Sequence, residues 1–389
     1  MTPGVGLVTY STKPRGGVIH LLALAEALHA RSFPVQIIAL DQTGHGFFRP
    51  VAVPCRLVPA PAPAATLDQR VFAAVDALAD GLRSIGDALP RVLHVQDCIA
   101  ARAAVRIRDE GAAVSVVRTV HHVDDFTTPA LVECQRRSIL DPDRVLVVSR
   151  FWQERVSVDY GRDADVVTNG VDVERFAPRP APEVISAMRA RVGATDRFLV
   201  LTVGGIEPRK GTDHLFRALA LLRQRLPHRP VLAIIGGHSF QDHAEYRQRV
   251  IDAMPGLDLQ FNRDVVMLGT VPSDDVAAWY HATDAFAFPS VNEGWGLVVL
   301  EALAAGTAAV VSDLPVFREY LVFGRDVLAV APGDDEGLAT QLARLATDVA
   351  LRAHLSTAGR HLAARYRWST TAAQHLAIYA PMLAEEIAS

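Results

Sequence analysis

Lysine is nearly missing from this chain: of 39 basic residues only Lys13 and Lys210 are lysines, and both stand in Gly-containing loops directly after strand-like runs. No basic stripe accompanies the net charge of −4, which argues against nucleic acid as a main partner. Cysteine is scarce, and Cys55, Cys98 and Cys134 make no metal or redox spacing, as befits a reducing compartment. Long apolar runs are lacking too, because Glu, Asp and Arg interrupt every stretch before it reaches the roughly 20 residues of a membrane-spanning helix. Met1 leads straight into the strand-like Val5–Tyr10 without a basic head or a cleavage site. A cytoplasmic protein with no transmembrane segment is expected, peripheral membrane contact being left open. The first strand is not followed by a G-x-G-x-x-G spacing, so a dinucleotide fingerprint is absent as well.

Hydrophobic residues make up 50% of the 389, ample core for two domains. Strand-like runs alternate with helical patterns throughout, the signature of parallel sheets with crossover helices. In the first half they fall near Val5–Tyr10, Val35–Leu40, Val92–Gln96, Val114–Thr119 and Val145–Ser149, with helices over Val18–Arg31, Leu67–Leu89 and Ala100–Glu110 between them. The pattern resets at Phe198–Val203 and continues through Val231–Ile235, Val265–Leu268, Ala285–Phe288, Ala308–Ser312 and Val327–Val330. The proline-rich Phe176–Pro182 reads as an extended connector, Pro59–Ala65 as a low-complexity surface loop, and Ser369–Ile387 as a final helix. These features predict a Rossmann-like domain over 1–176, a linker over 177–190, a second Rossmann-like domain over 191–366, and a C-terminal helix over 367–389. Ligands are expected between the carboxyl ends of the two sheets, where open α/β sheets bind them.

The chemistry concentrates in Asn292-Glu-Gly-Trp-Gly-Leu-Val-Val-Leu-Glu301. The apolar run after Gly296 begins a buried helix, which puts Glu293 in the loop before it and Glu301 within it. A helical rise of about 12 Å over that interval is too long for the two carboxylates to share a proton or a metal. It suits a long, doubly anionic ligand with hydroxyls at each end, the layout of a nucleoside diphosphate-sugar. Gly294, Trp295 and Gly296 allow close backbone approach, and the helix start turns its free N–H groups towards phosphate. An unpaired carboxylate among Val, Leu and Ala would be costly, which favours a role for Glu301.

With its flanks, Pro289-Ser before and Ala302-Leu-Ala-Ala-Gly306 after, this segment resembles the E-x7-E signature of retaining glycosyltransferases of family 4, which have the GT-B fold. The resemblance implies two Rossmann-like domains facing each other across a cleft, with the last helix crossing back to the first domain. It places Glu293 at the donor sugar, the amides of Gly294 to Leu297 on the sugar and distal phosphate, and Glu301 on the ribose hydroxyls. Val203-Gly-Gly205-Ile-Glu-Pro-Arg209-Lys210-Gly211 is similar to the family's phosphate-gripping G-R-x-x-x-x-K-G loop. Lys210 matches, whereas Gly205 stands where the arginine is usual; Arg209 or Arg15 is the available substitute. In the first domain, Gly16 and Gly17 resemble the loop that faces the donor phosphates, and His121 the histidine that touches the donor sugar. Leu268-Gly-Thr270-Val271 corresponds to the place where backbone groups hold the base. Lys13, Arg15 and Asn169 of the Asn-Gly-Val-Asp turn are placed on the acceptor side.

The expected activity is therefore transfer of a hexose-type sugar from a nucleoside diphosphate-sugar to an unidentified hydroxyl acceptor, with retention and no cofactor or metal. Glu293, Lys210 and His121 are the catalytic candidates, Glu293 as an orienting group rather than a nucleophile. A metal site from His121, His122, Asp124 and Asp125 with His94 and Asp97 competes for the same residues, but no spacing demands it. Asp141-Pro-Asp143 and Asp163-Ala-Asp165 read as solvated turns, and Cys98 as a structural thiol. A phosphorylase-like reaction would need a further lysine. A non-catalytic nucleotide-sugar-binding protein and a nucleotide-sugar epimerase are the alternatives, the former kept alive by Gly205.

Overall fold

The computed structural model describes residues 4–62, 64–237 and 243–384. Pro63 of the low-complexity loop and residues 385–387 of the expected final helix lie outside them. The chain divides into two compact units, residues 1–170 with 368–389, and residues 171–367.

Unit 1 runs β1 (Val5–Thr9), α1 (Gly16–His29), β2 (Val35–Asp41), β3 (Cys55–Pro59), α2 (Leu67–Arg83), β4 (Val92–Val95), α3 (Cys98–Asp109), β5 (Ser115–Val120), α4 (Pro129–Leu140), β6 (Arg144–Val147), α5 (Arg150–Tyr160) and β7 (Asp165–Val166). Unit 2 runs α6 (Val173–Phe176), α7 (Pro182–Arg191), β8 (Leu199–Val203), α8 (Thr212–Arg223), β9 (Val231–Ile235), α9 (Ala244–Asp252), β10 (Val265–Gly269), α10 (Ser273–Ala282) and β11 (Ala285–Phe288). It continues through α11 (Leu297–Ala305), β12 (Ala309–Ser312), α12 (Pro315–Arg318), β13 (Leu328–Val330), α13 (Asp335–Thr347) and α14 (Val349–Ala363), after which α15 (Trp368–Ala384) belongs to unit 1 and packs on α1.

Among the described residues the sheet of unit 1 has seven strands in the order β3-β2-β1-β4-β5-β6-β7, and that of unit 2 has six in the order β10-β9-β8-β11-β12-β13. Neighbouring strands pair in parallel, so helices cover both faces and the strands read as continuous apolar runs. β1 and β9 are buried along their whole length. In each unit the strand order reverses beside the first strand, at β1/β4 and at β8/β11. The loops leaving those strands are where the expected site residues fall.

Two strands escaped the sequence reading. β3 pairs with β2 from Ile37↔Cys55 to Asp41↔Pro59, yet it is an edge strand with only Val58 buried, so no hydrophobic pattern marks it. Asp163-Ala-Asp165, expected as a solvated turn, runs into β7, where Asp165 pairs with Arg144 at 2.5 Å. The unit boundary falls at Gly170 rather than 176, and the expected linker over 177–190 contains most of α7. Pro182 starts that helix at a position needing no N–H, Glu183 lies in its first turn and Arg189 in its last, each suited to the helix dipole. Arg189 then ties α7 to unit 2 by hydrogen bonds to the Ala282 carbonyl (2.8 Å) and Asp284 (3.1 Å).

Candidate functional site

In unit 2 the loops after β8 and β11 meet. The β8 loop narrows into a turn over Pro208–Lys210 and ends at Gly211, whose φ of 63° is left-handed. A Cβ on Gly211 would lie 2.2 Å from the Pro289 carbonyl, so only glycine lets the two loops touch. The contact delivers two cations to one carboxylate oxygen: Lys210 Nζ and Arg209 Nη1 both lie 2.5 Å from Glu293 Oε1, with Ser290 Oγ at 3.4 Å. Lys210 also stands over the Phe288 ring at 4.6 Å.

Burial lowers the Lys210 pKa, the Arg209 charge lowers it further, and Glu293 opposes both. These three groups carry one more positive than negative charge. An arriving phosphate can therefore take over the ammonium and the guanidinium, releasing Glu293 for another partner.

Glu293 is followed by the turn that launches α11. Gly296 has φ 87°, and a Cβ there would strike the Phe317 ring at 2.6 Å. No side chain caps α11, so its first-turn N–H groups have no side-chain acceptor, the arrangement that suits an anion. The Trp295 indole belongs to the core: it is 3% exposed and stacks on Tyr320 with centroids 4.5 Å apart, while the Tyr320 hydroxyl donates to the Trp295 carbonyl at 2.8 Å. That aromatic clamp fixes the glycine loop. The apolar flank of α11, including Val299, Leu300 and Leu303, is fully buried, each side chain contributing about 1.5–3 kcal/mol.

Glu301 lies one helical stretch further on, half-buried, and its Oε2 accepts a 2.9 Å hydrogen bond from the Tyr280 hydroxyl. Burial raises its pKa, while the Tyr280 hydrogen bond and the charge of Arg175 pull the other way. Tyr280 gave no signal in the sequence.

Gly205 owes its identity to packing. A Cβ at that position would lie 2.3 Å from the Gly237 carbonyl, because Gly204 (φ 141°) and Gly236 (φ 145°) draw the loops after β8 and β9 into backbone contact. No side chain fits there, and the nearby guanidinium comes from Arg209 instead. The loop after β10 joins the same region: Gly236 N donates to Gly269 O at 2.9 Å, Thr270 is exposed and Val271 is buried.

In unit 1 the loops after β1 and β4 are joined by Asp97, which caps α3 through Ala100 N (2.8 Å) and accepts from Tyr10 N and Thr9 Oγ1, each at 3.0 Å. The β1 loop carries Lys13, which is exposed, and Arg15, which hydrogen-bonds the Tyr10 hydroxyl. Gly16 and Gly17 open α1, whose start has no side-chain cap. A Cβ on Gly17 would touch the His121 ring at 3.4 Å, so that glycine and the histidine stand together.

His121 Nε2 donates to Gln96 Oε1 at 2.9 Å, which leaves Nδ1 as the acceptor of a neutral ring. Burial first, then His20 and Arg118, hold its pKa well below the ordinary value. Asn169 is buried and its Oδ1 meets His20 Nδ1 at 2.8 Å, so it supports α1. Among the described residues no three His, Cys, Asp or Glu side chains gather as a metal site; His94 is held by Tyr379 and Thr119 at 2.6 and 2.7 Å. Gln96 and Asp97 as structural partners went unread, although both sit at the strand end where the sheet order reverses.

Residues 14–175 match the family described as Glycosyltransferase Family 4, and residues 185–362 the one described as Glycosyl transferases group 1. The chain is 30% identical over 388 residues to a phosphatidyl-myo-inositol mannosyltransferase of Mycolicibacterium smegmatis, covering 96% of this chain and 93% of that one. It is 33% identical over 264 residues to a GDP-mannose-dependent alpha-(1-6)-phosphatidylinositol monomannoside mannosyltransferase of the same organism. That match covers 65% of this chain and spans just under two thirds of the relative's length, 66%. Sucrose-phosphate synthase from Thermosynechococcus elongatus superposes with a TM-score of 0.81 over 98% of this chain and 99% of that one; at 20% identity the likeness concerns the fold alone.

Proposed function

The chain belongs to glycosyltransferase family 4, with the Rossmann-like units of the GT-B fold, and from that premise we propose that it transfers a hexose-type sugar from a nucleoside diphosphate-sugar to an acceptor hydroxyl. The observation that carries this reading is the convergence of Lys210 and Arg209 on Glu293 beside the uncapped start of α11. The diphosphate binds the two cations and the first-turn N–H groups of α11. Glu293, relieved of its cations, takes a hydroxyl of the sugar, and Glu301 takes the ribose. In unit 1, His121 Nδ1 accepts a substrate hydroxyl, and the α1 start at Gly16–Gly17 receives an anionic group.

The reaction breaks the bond between the anomeric carbon and the phosphate oxygen, and the electron pair leaves with the nucleoside diphosphate. The acceptor oxygen bonds to the same face of that carbon, and its proton passes to the departing phosphate oxygen. Charge grows on the leaving group as the bond breaks, and Lys210, Arg209 and the α11 dipole lie where it develops. Those groups supply the positive charge that a divalent cation would otherwise provide, which supports a metal-free reaction without a cofactor. The relatives' names point to GDP-mannose as donor and to an inositol-bearing acceptor. Free thiols at Cys55, Cys98 and Cys134 agree with a cytoplasmic setting, and no helix of the described residues is long and apolar enough to cross a membrane.

The test is calorimetry with GDP, UDP and ADP, followed by donor turnover with GDP-mannose in the presence of inositol acceptors. Tight binding of one nucleoside diphosphate and its release from the matching donor support the proposal. No affinity for any of the three would sink it. Binding without turnover across acceptors would favour a nucleotide-sugar sensor, the reading that the closed Gly205 position keeps open.

A further inference from the structure

Tyr280 lies in the last turn of α10, fully buried, and its hydroxyl reaches the middle of α11. Two acceptors lie near it, Glu301 Oε2 at 2.9 Å and the Val298 carbonyl at 3.2 Å. A phenol has one proton to give, and the shorter contact is to the carboxylate. We propose that Tyr280 is a positioning residue for Glu301, locking Oε2 so that the carboxylate presents Oε1, in one fixed direction, to the vicinal hydroxyls of a ribose. The inference rests on the reading above in which Glu301 receives the ribose.

Three observations support it. The Tyr280 ring is itself immobilised, edge-on to Phe176 and Phe286 with centroids 5.9 and 5.6 Å away, so its hydroxyl is a fixed point. Glu301 is half-buried rather than sealed in the core, and among the described residues its Oε2 takes the Tyr280 hydrogen bond while Oε1 takes none. Burial disfavours the charged form of Glu301, and the Tyr280 proton offsets that penalty, keeping an acceptor where two hydroxyl donors arrive.

The elements packed on α11 are α6, α10, α14 and β12. These elements also carry Glu174, Asp274, Asp275, Arg352, His354 and His361, but the groups that act on Glu301 or lie against α11 are fewer. α6 contributes Arg175, whose charge acts on both Tyr280 and Glu301 while its own donors go to the Ser273 carbonyl and hydroxyl. α14 contributes Arg360, which is spent on the Ala305 carbonyl at 3.1 Å. α10 contributes His281, which is bonded to the Phe176 carbonyl at 2.8 Å. β12 brings no ionisable side chain. Tyr280 is thus the direct hydrogen-bond donor that sets the carboxylate's direction.

The experiment compares GDP with 2′,3′-dideoxy-GDP by calorimetry between pH 5 and 8, in the native chain, Glu301→Gln and Tyr280→Phe; UDP and ADP with their dideoxy forms take their place if calorimetry ranks them tighter. The native chain should bind the ribonucleotide about tenfold or more tightly over the dideoxy form, the value of one hydrogen bond to a charged group. Glu301→Gln should lose most of that ratio at every pH. Tyr280→Phe should lose it at the acid end and recover part of it as pH rises, because Glu301 then ionises later.

A native chain with no ribose preference refutes the assignment of Glu301 itself. A native preference that disappears in Glu301→Gln but persists at all pH values in Tyr280→Phe refutes the role of Tyr280. If Tyr280→Phe fails to fold, 3-fluorotyrosine at position 280 keeps the shape and makes a stronger donor. The acid limb of the binding profile should then move to lower pH, and an unmoved limb refutes the proposal.

Discussion

Lys210 reaches Glu293 across the junction of two loops, Nζ to Oε1 at 2.5 Å, and the pairing fixes the cation proposed to take the phosphate. Lys210 is also the less exposed of the two cations, its side chain 17% accessible against 30% for Arg209. Charge buried more deeply acts through less water and is worth more to a developing anion. Lys210→Ala is expected to lower the turnover of the preferred donor by about 100- to 1000-fold, as loss of one preorganised donor does elsewhere. Arg209→Ala should cost less. Rates measured at saturating donor decide the matter: an unchanged rate in Lys210→Ala would remove the phosphate role.

Restoring the arginine that the family usually has at position 205 should fail. The new side chain would begin with a Cβ 2.3 Å from the Gly237 carbonyl, a backbone atom that cannot swing aside. Gly205→Arg and Gly205→Ala should both lower stability by about 1–3 kcal/mol, the usual range for overpacking, and neither should tighten nucleoside diphosphate binding. Thermal melts paired with calorimetry give both numbers. An arginine variant that melts like the native chain and binds more tightly would show that the two loops part easily.

Why some of this was legible and some was not follows from where the information sits. Glu293, Glu301, Lys210 and the glycines around them lie in two short stretches whose local pattern carries their geometry, a glycine turn feeding an apolar helix. The strands of both sheets announced themselves because parallel strands buried on both faces are plain apolar runs. β3 and the two-residue β7 gave no such run, since neither is buried along its length. Tyr280, Gln96 and Asp97 act through contacts across the fold, Tyr280 with Glu301 and Gln96 with His121, that no local spacing encodes. Gly205 looked like a lost arginine because its true neighbour, Gly237, is distant in sequence.

The attachment of α15 to unit 1 centres on Tyr379, which is fully buried and whose hydroxyl meets His94 Nδ1 at 2.6 Å. Thr119 Oγ1 satisfies the other ring nitrogen at 2.7 Å, so Tyr379→Phe strands one nitrogen of a buried imidazole. A buried polar atom left without a partner costs about 1–3 kcal/mol. Chemical denaturation followed by near-ultraviolet circular dichroism should register that loss. A triple variant, Tyr379→Phe with His94→Leu and Thr119→Val, should regain part of it, since it removes every polar partner of the chain from Tyr379 to Thr119 together. If the single variant is as stable as the native chain, the hydrogen bond is not what holds α15.

Acid should unfold unit 1 earlier than its carboxylates alone would require. His20, His94 and His375 are fully buried within ring-contact distance, His20–His375 at 6.0 Å and His94–His375 at 5.3 Å. Burial depresses His20 to about 3 and His375 to about 4, and holds His94 well below the ordinary value. Above about pH 6.5 the rings are neutral whether the chain is folded or not, so they leave stability unchanged there. Below it the unfolded chain binds protons that the folded chain refuses, and stability falls as pH drops towards the folded values. Each histidine steepens that fall by about 1.4 kcal/mol per pH unit. His375→Gln can still donate to the Thr371 carbonyl, which His375 Nδ1 now reaches at 2.8 Å, but it has no proton to gain. Its denaturation midpoints between pH 6.5 and 5 should decline less steeply than the native ones by the share of one histidine. Parallel declines would mean that the cluster admits water or protons in the native state, and the buried-neutral account of these rings would fail.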